Sequence, residues 1–467
     1  MLTINRYNYA HRKLYNRLKQ LGAEAFFERG ESDEQHPEGL EGSLIPWITS
    51  LRQTLLDLYP LPDVSEPIPD DVFLRPEWEL QLLEDGHAYS TNGSDSSTTP
   101  AVSLADHHKH GRAGNVDSTS AQSEANDSIP PPGQIRAILK RNERVTPADH
   151  WQDVRLFEFE TPAVDYQPGD VLTIFPHNDP AAVNKLIDIM NWHDVADKAV
   201  QFTPTSASTS STCAPLTSSN QLTLRSLLLK HLDLNAIPRR SFFAAIAHFT
   251  DDEFQHDRLV EFTNPIYVDE LFDYTTRPRR SIIEVLDEFD TVKLPWRWIA
   301  DILPAIRGRQ FSIASGGELK YAADGRGRIE LLIAMVKYKT VIRKTREGLC
   351  SRYMSGLQPG AQLDVLLCKG GVQAAMNRPA MLVGPGTGIA PLRSMLFECA
   401  RQGAHDQAIT KHKQLLFFGG RNRSADFFFE HDWAKLQEQL DLEVHTAFSR
   451  DQVSNLIIPD KSTTSTS

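Results

Sequence analysis

PAMLVGPGTGIAPLRSM, residues 379–395, carries the clearest architectural signal in this 467-residue chain. An apolar run ends in Gly384, Gly386 and Gly388, and Pro391 follows in what reads as the first turn of a helix. Glycines let a backbone approach closely, and a helix N-terminus offers free N–H groups to a phosphate. No Lys-Ser or Lys-Thr follows, which separates the segment from a P-loop, and its spacing is not G-x-G-x-x-G. Taken alone, the same residues also suit a tight strand-to-helix turn that binds nothing.

Toward the C-terminus, QLLFFG, a helix through Leu440 and LEVHTAF repeat the alternation. Residues 378–460 therefore read as a βαβαβ unit with a partial parallel sheet, followed by a Ser/Thr tail over 461–467. On the other side, IRAILKRNERVTP, DVRLFEFET, YQPGDVLTIFP, QFSIAS, RIELLIAMVKY and QLDVLLCK read as antiparallel strands of a barrel over 134–377. Within it, from about 177 to 303, apolar repeats with start signals at Asp179-Pro180, Thr223, Asp252 and Ser281 predict a helical insertion. TPTSASTSSTCAPLTSSN, 203–220, reads as a surface excursion from that insertion.

At the N-terminal end, residues 9–21 place Leu14, Leu18 and Leu21 at helical spacing. AEAFFER then reads as a short strand and Leu40–Leu58 as a second helix, together the end of an α/β domain over 1–60. Residues 61–133 are rich in Pro and then in Ser, Thr, Asp, Asn and Gly, a composition that cannot offset ordering entropy, so a disordered linker is expected. His107, His108 and His110 in that tract read as solvated side chains, and no metal is expected.

Composition removes several function classes. Lys plus Arg number 49 against 61 Asp plus Glu, a net charge of -12, and no strongly basic stretch offsets it; no nucleic-acid partner is expected. No apolar run approaches the ~18 residues of a membrane span, so no membrane insertion is expected. Four cysteines without C-x-x-C spacing suggest neither a disulfide framework nor structural zinc, and a reducing compartment follows. The first residues carry no secretory signal, no G-x-S-x-G elbow occurs, and the histidines form no local triad.

RQFSIAS at 309–315 on a predicted strand, GLCSRY at 348–353 opening a predicted helix, and the glycine turn at 384–391 occur in one order. That set resembles the ferredoxin–NADP reductase family of FAD- and NADPH-binding flavoproteins, and the helical insertion narrows the resemblance to its diflavin branch. NAIPRRSFF at 235–243, RLVEFTNP at 258–265, RPRRSIIEVL at 277–286 and KYKTVIRKTREGLCSRY resemble the NADPH-dependent diflavin oxidoreductases of cytosolic iron–sulfur assembly. LKQLGAEAFFERGESDEQHPEG resembles the end of that family's flavodoxin domain.

The resemblance implies a multidomain α/β and β fold. Its parts are a flavodoxin-like remnant, an FAD-binding antiparallel β-barrel with a helical insertion, and a partial parallel-sheet NADP-binding domain. It places Arg309 on the FAD pyrophosphate with Gln310 beside it, Phe311 against the isoalloxazine, and Ser312 at hydrogen-bonding distance of flavin N5, the one catalytic assignment. Gly348, Leu349, Cys350 and Ser351 match the turn that holds the same pyrophosphate, which makes Cys350 positional rather than nucleophilic. Arg279 falls at a further FAD arginine, with Arg277 and Arg280 beside it leaving the register open. For NADPH, Gly384, Gly386, Thr387 and Gly388 match the pyrophosphate turn. Ser449 and Arg450 match the 2′-phosphate pair, which favours NADPH over NADH. Hydride transfer between the two cofactors needs no protein acid or base.

Asn8 and Glu34 fall at positions that contact FMN in that family. The family's FMN phosphate loop, and its NADPH contacts beyond the Ser-Arg pair, have no match here, so the chain is expected to be shortened at both ends. The implied activity passes electrons from NADPH through FAD, with FMN in the family at large, to an anamorsin-type iron–sulfur protein in the cytoplasm, mitochondrial association included. Two alternatives stay open: a non-catalytic FAD-binding or partner-binding module, and an electron donor like cytochrome P450 reductase.

Overall fold

The computed structural model describes residues 8–32, 41–60, 68, 72–83, 133–162, 165–205, 222–372, 378–404 and 412–451. Glu34, the histidines of 107–110, residues 206–220 of the surface excursion and the tail lie outside them.

Helices α1 (Tyr9–Gln20) and α2 (Glu41–Leu58) form where the apolar spacing predicts, yet neither contains a buried residue. Leu14 and Leu18 of α1, and Leu44, Ile48 and Leu55 of α2, are exposed. The expected strand AEAFFER does not form, because no described strand lies beside it to complete a ladder. Side chains fix it instead: Trp47 Nε1 donates to the Glu28 carbonyl at 3.0 Å, and the rings of Phe27 and Trp47 lie 6.0 Å apart.

Strand β1 (Trp78–Leu82) lies inside the stretch expected to be a disordered linker. It is ordered by a distant partner, pairing antiparallel with Val200–Pro204 and fully burying Leu80. The barrel opens with β2 (Ile135–Arg144), β3 (Val154–Thr161) and β4 (Val171–Ile174). The helical insertion follows, with α3 (Pro180–Met190), β5 (Val200–Pro204), α4 (Leu224–Lys230), α5 (Arg240–Ala247), α6 (Glu253–Glu261) and α7 (Ile282–Glu288). Its start signals act as read. Asp179 accepts from Ala181 N at 2.9 Å, Asp252 from Gln255 N at 2.8 Å, and Thr223 and Ser281 form capping boxes with Ser226 and Glu284.

The barrel resumes with β6 (Arg309–Ser312), β7 (Gly327–Ala334), β8 (Lys337–Lys339), β9 (Thr345–Glu347), α8 (Leu349–Gly356) and β10 (Gln362–Cys368). RIELLIAMVKY is not one strand, since β7 ends at Ala334 and β8 turns into a hairpin with β9. The six strands run β6-β4-β10-β2-β3-β7, and the edges meet where Ile313 bridges Leu331 and Ala314 N donates to the Glu330 carbonyl at 2.8 Å. Phe157, Phe159, Leu172, Ile174, Ile313 and Leu331 fill the interior.

Beyond it, β11 (Ala380–Pro385), α9 (Ala390–Gly403), β12 (Gln414–Gly420), α10 (Glu430–Gln439) and β13 (Leu442–Phe448) build a parallel sheet ordered β11-β12-β13. Helical crossovers between neighbouring parallel strands are what the alternation requires. Among the described residues no helix is long and apolar enough to cross a membrane, and no cluster of His, Cys, Asp and Glu could hold a metal ion.

Candidate functional site

One corner of the barrel collects positive charge. Along β6, Arg309, Gln310, Phe311 and Ser312 pair with Ile174, Thr173, Leu172 and Val171 of β4. Phe311 packs against the barrel core, Gln310 is exposed and Ser312 is half-buried. Helix α8 starts at Gly348 with no side-chain cap. Gly348 N donates to the Val336 carbonyl at 2.9 Å, and the Ser351 hydroxyl accepts from Val336 N at 2.9 Å, which fixes Gly348, Leu349, Cys350 and Ser351 against the barrel.

Burial pushes the Cys350 thiol up to about 12, although the Arg309 charge pulls it down, so the sulfur stays protonated and inert. The same interaction shows that β6 and the start of α8 converge. Arg352, one turn into α8, has its Nη2 buried without a partner. Arg309 and Arg352 both act on Asp233, whose carboxyl burial pushes up. Two guanidinium groups, an orphaned buried donor and an uncapped helix end form a donor set that a polyanion satisfies and that is costly left empty. The corner therefore fits a dinucleotide pyrophosphate. Arg352 escaped the sequence reading, though it directly follows G-L-C-S.

Arg279 adopts a left-handed backbone, φ 55°, with its side chain exposed. Arg277 pairs with Asp273 at 3.2 Å, and Arg280 pairs with Glu288 and lies 4.1 Å over the Tyr274 ring. Arg279 alone of the three has no side-chain partner among the described residues. Arg346 of β9 donates to the Pro278 carbonyl at 3.3 and 3.2 Å and to Glu284 at 2.8 Å, tying the Arg279 loop to the strand that runs into Gly348.

The carboxyl ends of the parallel strands form a second corner, where open α/β sheets bind their ligands. After β11, Gly386, Thr387 and Gly388 lie in a single tight turn leading into α9, with Gly386 at φ 54°. At Gly384 a Cβ would press on Ile389 and Leu392, so the turn closes only over glycine. After β13, Ser449 N donates to the Gly420 carbonyl at 3.1 Å and Arg450 N to the Arg421 carbonyl at 2.8 Å; both side chains are exposed.

A buried polar junction joins the two corners, and the sequence reading did not find it. Arg393 of α9 reaches Glu330 of β7 at 2.6 Å, the Ala314 carbonyl at 3.0 Å and Asp432 of α10 at 2.6 Å. Ser394 Oγ donates to the Ser315 carbonyl at 2.7 Å, and Glu398 accepts from Gly317 N at 3.1 Å and lies 3.2 Å from Lys320 Nζ. Gly316 and Gly317 allow this approach, since a Cβ at either would fall on the Ser394 or Phe397 carbonyl. Their pairing directly after FSIAS is the signal that would have found it. By this contact the backbone just beyond Ser312 is tied to the helix that follows the Thr387 turn.

Of the two FMN positions, only Asn8 lies among the described residues. Asn8 is left-handed at φ 47°, with its side-chain amide 3.5 Å from the Ser32 carbonyl, and Glu34 lies outside the described residues.

Both domains match known families. Residues 133–353 match a family described as the FAD binding domain, and residues 382–456 match the oxidoreductase NAD-binding domain. The chain is 48% identical to the NADPH-dependent diflavin oxidoreductase 1 of Emericella nidulans, across 97% of this chain and 70% of that protein. Proteins of the same description from Schizosaccharomyces pombe, 34% identical over 96% of this chain and 69% of the relative, and from Xenopus laevis, 33% identical over 97% and 71%, are also similar. With the FAD-type and NAD-type domains in the same order and relatives aligned along almost its whole length, the chain belongs to the NADPH-dependent diflavin oxidoreductase family.

Proposed function

We propose that this oxidoreductase takes electrons from NADPH at the parallel-sheet corner, passes them to FAD in the barrel corner and delivers them to an anamorsin-type iron–sulfur protein in the cytoplasm. The observation that carries the reading is the junction itself, where Ser394 and Glu398 of the glycine-turn helix bond the backbone of Ser315 and Gly317, just beyond Ser312. FAD, when bound, supplies the conversion of a two-electron hydride donor into a source of single electrons. The chain supplies position and charge. Arg309, Arg352 and the α8 N-terminus would hold the pyrophosphate, Arg279 would add a charge, Phe311 would back the ring, and Ser312 would present a hydroxyl at its edge.

Thr387 and the glycine turn would seat the NADPH pyrophosphate, and Ser449 with Arg450 would take the 2′-phosphate. FMN, which the family name implies, finds no enclosed site among the described residues of 8–60, none of which is buried. The acceptor and the compartment are supported by the likeness of the segments around 235–286 and 337–353 to the iron–sulfur assembly reductases.

Flavin content and cofactor choice test the two corners. Arg309→Ala is expected to release FAD from a folded chain, and stoichiometric FAD in that variant would refute the barrel assignment. Arg450→Ala is expected to weaken NADPH while leaving NADH nearly unchanged, and equal losses would remove the 2′-phosphate role. Anaerobic mixing of the FAD-loaded chain and NADPH with a purified anamorsin-type protein is expected to reduce its cluster; an unchanged cluster spectrum would overturn the acceptor.

A further inference from the structure

Loop 145–153 of the barrel reaches the carboxyl end of the parallel sheet and is rigidly built. The Thr146 hydroxyl donates to the Gln152 carbonyl at 2.9 Å and accepts from Val154 N at 3.1 Å, while Arg144 donates to the His150 carbonyl at 2.9 Å. His150, half-buried with its Nε2 out of solvent, places that nitrogen 3.0 Å from Asp426, at ion-pair distance though not aligned as a hydrogen bond. Asp426 in turn accepts the backbone N–H groups of Arg421 and Asn422 at 2.9 Å each. The clamp sets Trp151, still 58% exposed, beneath the Arg421 guanidinium at 3.8 Å.

Arg421 is otherwise uncommitted. Its neighbour Arg423 pairs with Glu430 at 3.1 Å, whereas no carboxylate pairs with the Arg421 side chain among the described residues. Its carbonyl accepts the Arg450 N–H at 2.8 Å, so Arg421 and Arg450 stand at adjacent strand ends. A guanidinium held on an indole keeps its donors in plane and free for an incoming anion.

We propose that Arg421 is a second cation for the 2′-phosphate of NADPH and that Trp151, delivered by the barrel, is the positioning residue that holds it there. The phosphate site then spans two domains, and discrimination against NADH depends on the barrel loop being seated. The inference rests on the NADPH reading of Ser449 and Arg450.

Calorimetric titration of the FAD-loaded chain with 2′,5′-ADP and with 5′-AMP tests it. Arg421→Ala is expected to weaken 2′,5′-ADP by about tenfold, the scale of one charge-assisted contact, and to leave 5′-AMP within about twofold. Trp151→Ala is expected to lose about half of that effect on a logarithmic scale, and Trp151→Phe to restore it because a smaller ring still supports the cation. Flavin content reports the fold of each variant, and Arg421→Gln replaces Arg421→Ala if the latter loses FAD. Unchanged 2′,5′-ADP binding in Arg421→Ala, beside a loss in Arg450→Ala, overturns this inference and leaves the NADPH reading standing. Unchanged binding in both overturns the NADPH reading. Equal weakening of the two ligands in Arg421→Ala, or no rescue by Trp151→Phe, overturns the assigned roles.

Discussion

The helical insertion and the junction between barrel and parallel sheet both bury helices, but with opposite chemistry. The insertion closes over Leu186, Phe243, Ile246, Val285 and Leu286, a continuous apolar cluster. At the junction the buried side chains include Lys320, Glu330, Arg393 and Glu398, each 5% exposed or less. Apolar burial is nearly indifferent to direction and tolerates many arrangements. Buried charges must each find a partner at fixed distance, so such a seam contributes little net stability while excluding other registers; we take register to be its role here. Beside an apolar cluster that includes Ala314, Leu332, Leu396 and Phe397, these charges fix how the barrel meets the parallel sheet.

Gly316→Ala should have the largest effect. Its Cβ would collide with the Ser394 carbonyl, and rigid backbone on both sides offers no escape. A loss of about 4 kcal/mol or more in the opening free energy of α9 is expected, read by hydrogen exchange, with the insertion helices keeping their protection. Unaltered protection of α9 would show that the junction is looser than its contacts indicate.

Arg393→Ala comes next, at about 2–3 kcal/mol, because Asp432 loses its partner and buried Glu330 is left with Arg328 alone. The double change Arg393→Met with Glu330→Leu should recover most of that stability, yet slow NADPH-driven flavin reduction. Full recovery of both would contradict a register role. In the apolar seam, Phe243→Leu should cost less than about 1.5 kcal/mol, since volume is nearly kept and no polar group is orphaned. A cost above that of Arg393→Ala, measured by the same exchange experiment, would erase the contrast between the seams.

What the sequence disclosed follows the same division. The insertion's helices were legible because caps at Asp179, Thr223, Asp252 and Ser281 and an apolar period are local signals. The glycine turn and the three parallel strands were legible for the same reason. Strand β1 was not, since WELQL is ordered only by pairing with residues 200–204, far along the chain. AEAFFER fails in the opposite direction, a strand-like composition with no described partner. Arg393 and Glu398 read as ordinary charges on a helix surface, because nothing local states that their face meets β7. Arg309 and G-L-C-S were found through resemblance, whereas Arg352 and Arg421 acquire meaning only from what stands beside them in space.

Acid should separate the junction from the barrel face beside the insertion by a smaller effect. His177 follows β4 with its ring 4.8 Å from Tyr353, and burial pushes its pKa down to about 3, with the Lys230 and His231 charges adding to the shift. Burial pushes Glu398 up, but the Arg401 hydrogen bond and the Lys320 charge outweigh it and hold the carboxyl at about 2. For His177 the unfolded chain binds the extra proton, so its contribution is intact above an ordinary pKa of about 6.5 and falls as pH drops from there toward 3. Glu398 also loses its contribution on acidification, but only from about 4.5 downward, the ordinary range of a glutamate. Between pH 6 and 5 the β4 and α8 segments should therefore weaken by about 1 kcal/mol in exchange experiments while α9 stays level. His177→Asn should flatten that slope, and Glu398→Gln should leave it untouched. A slope that persists in His177→Asn would assign the acid response to another group and remove this distinction between barrel and junction.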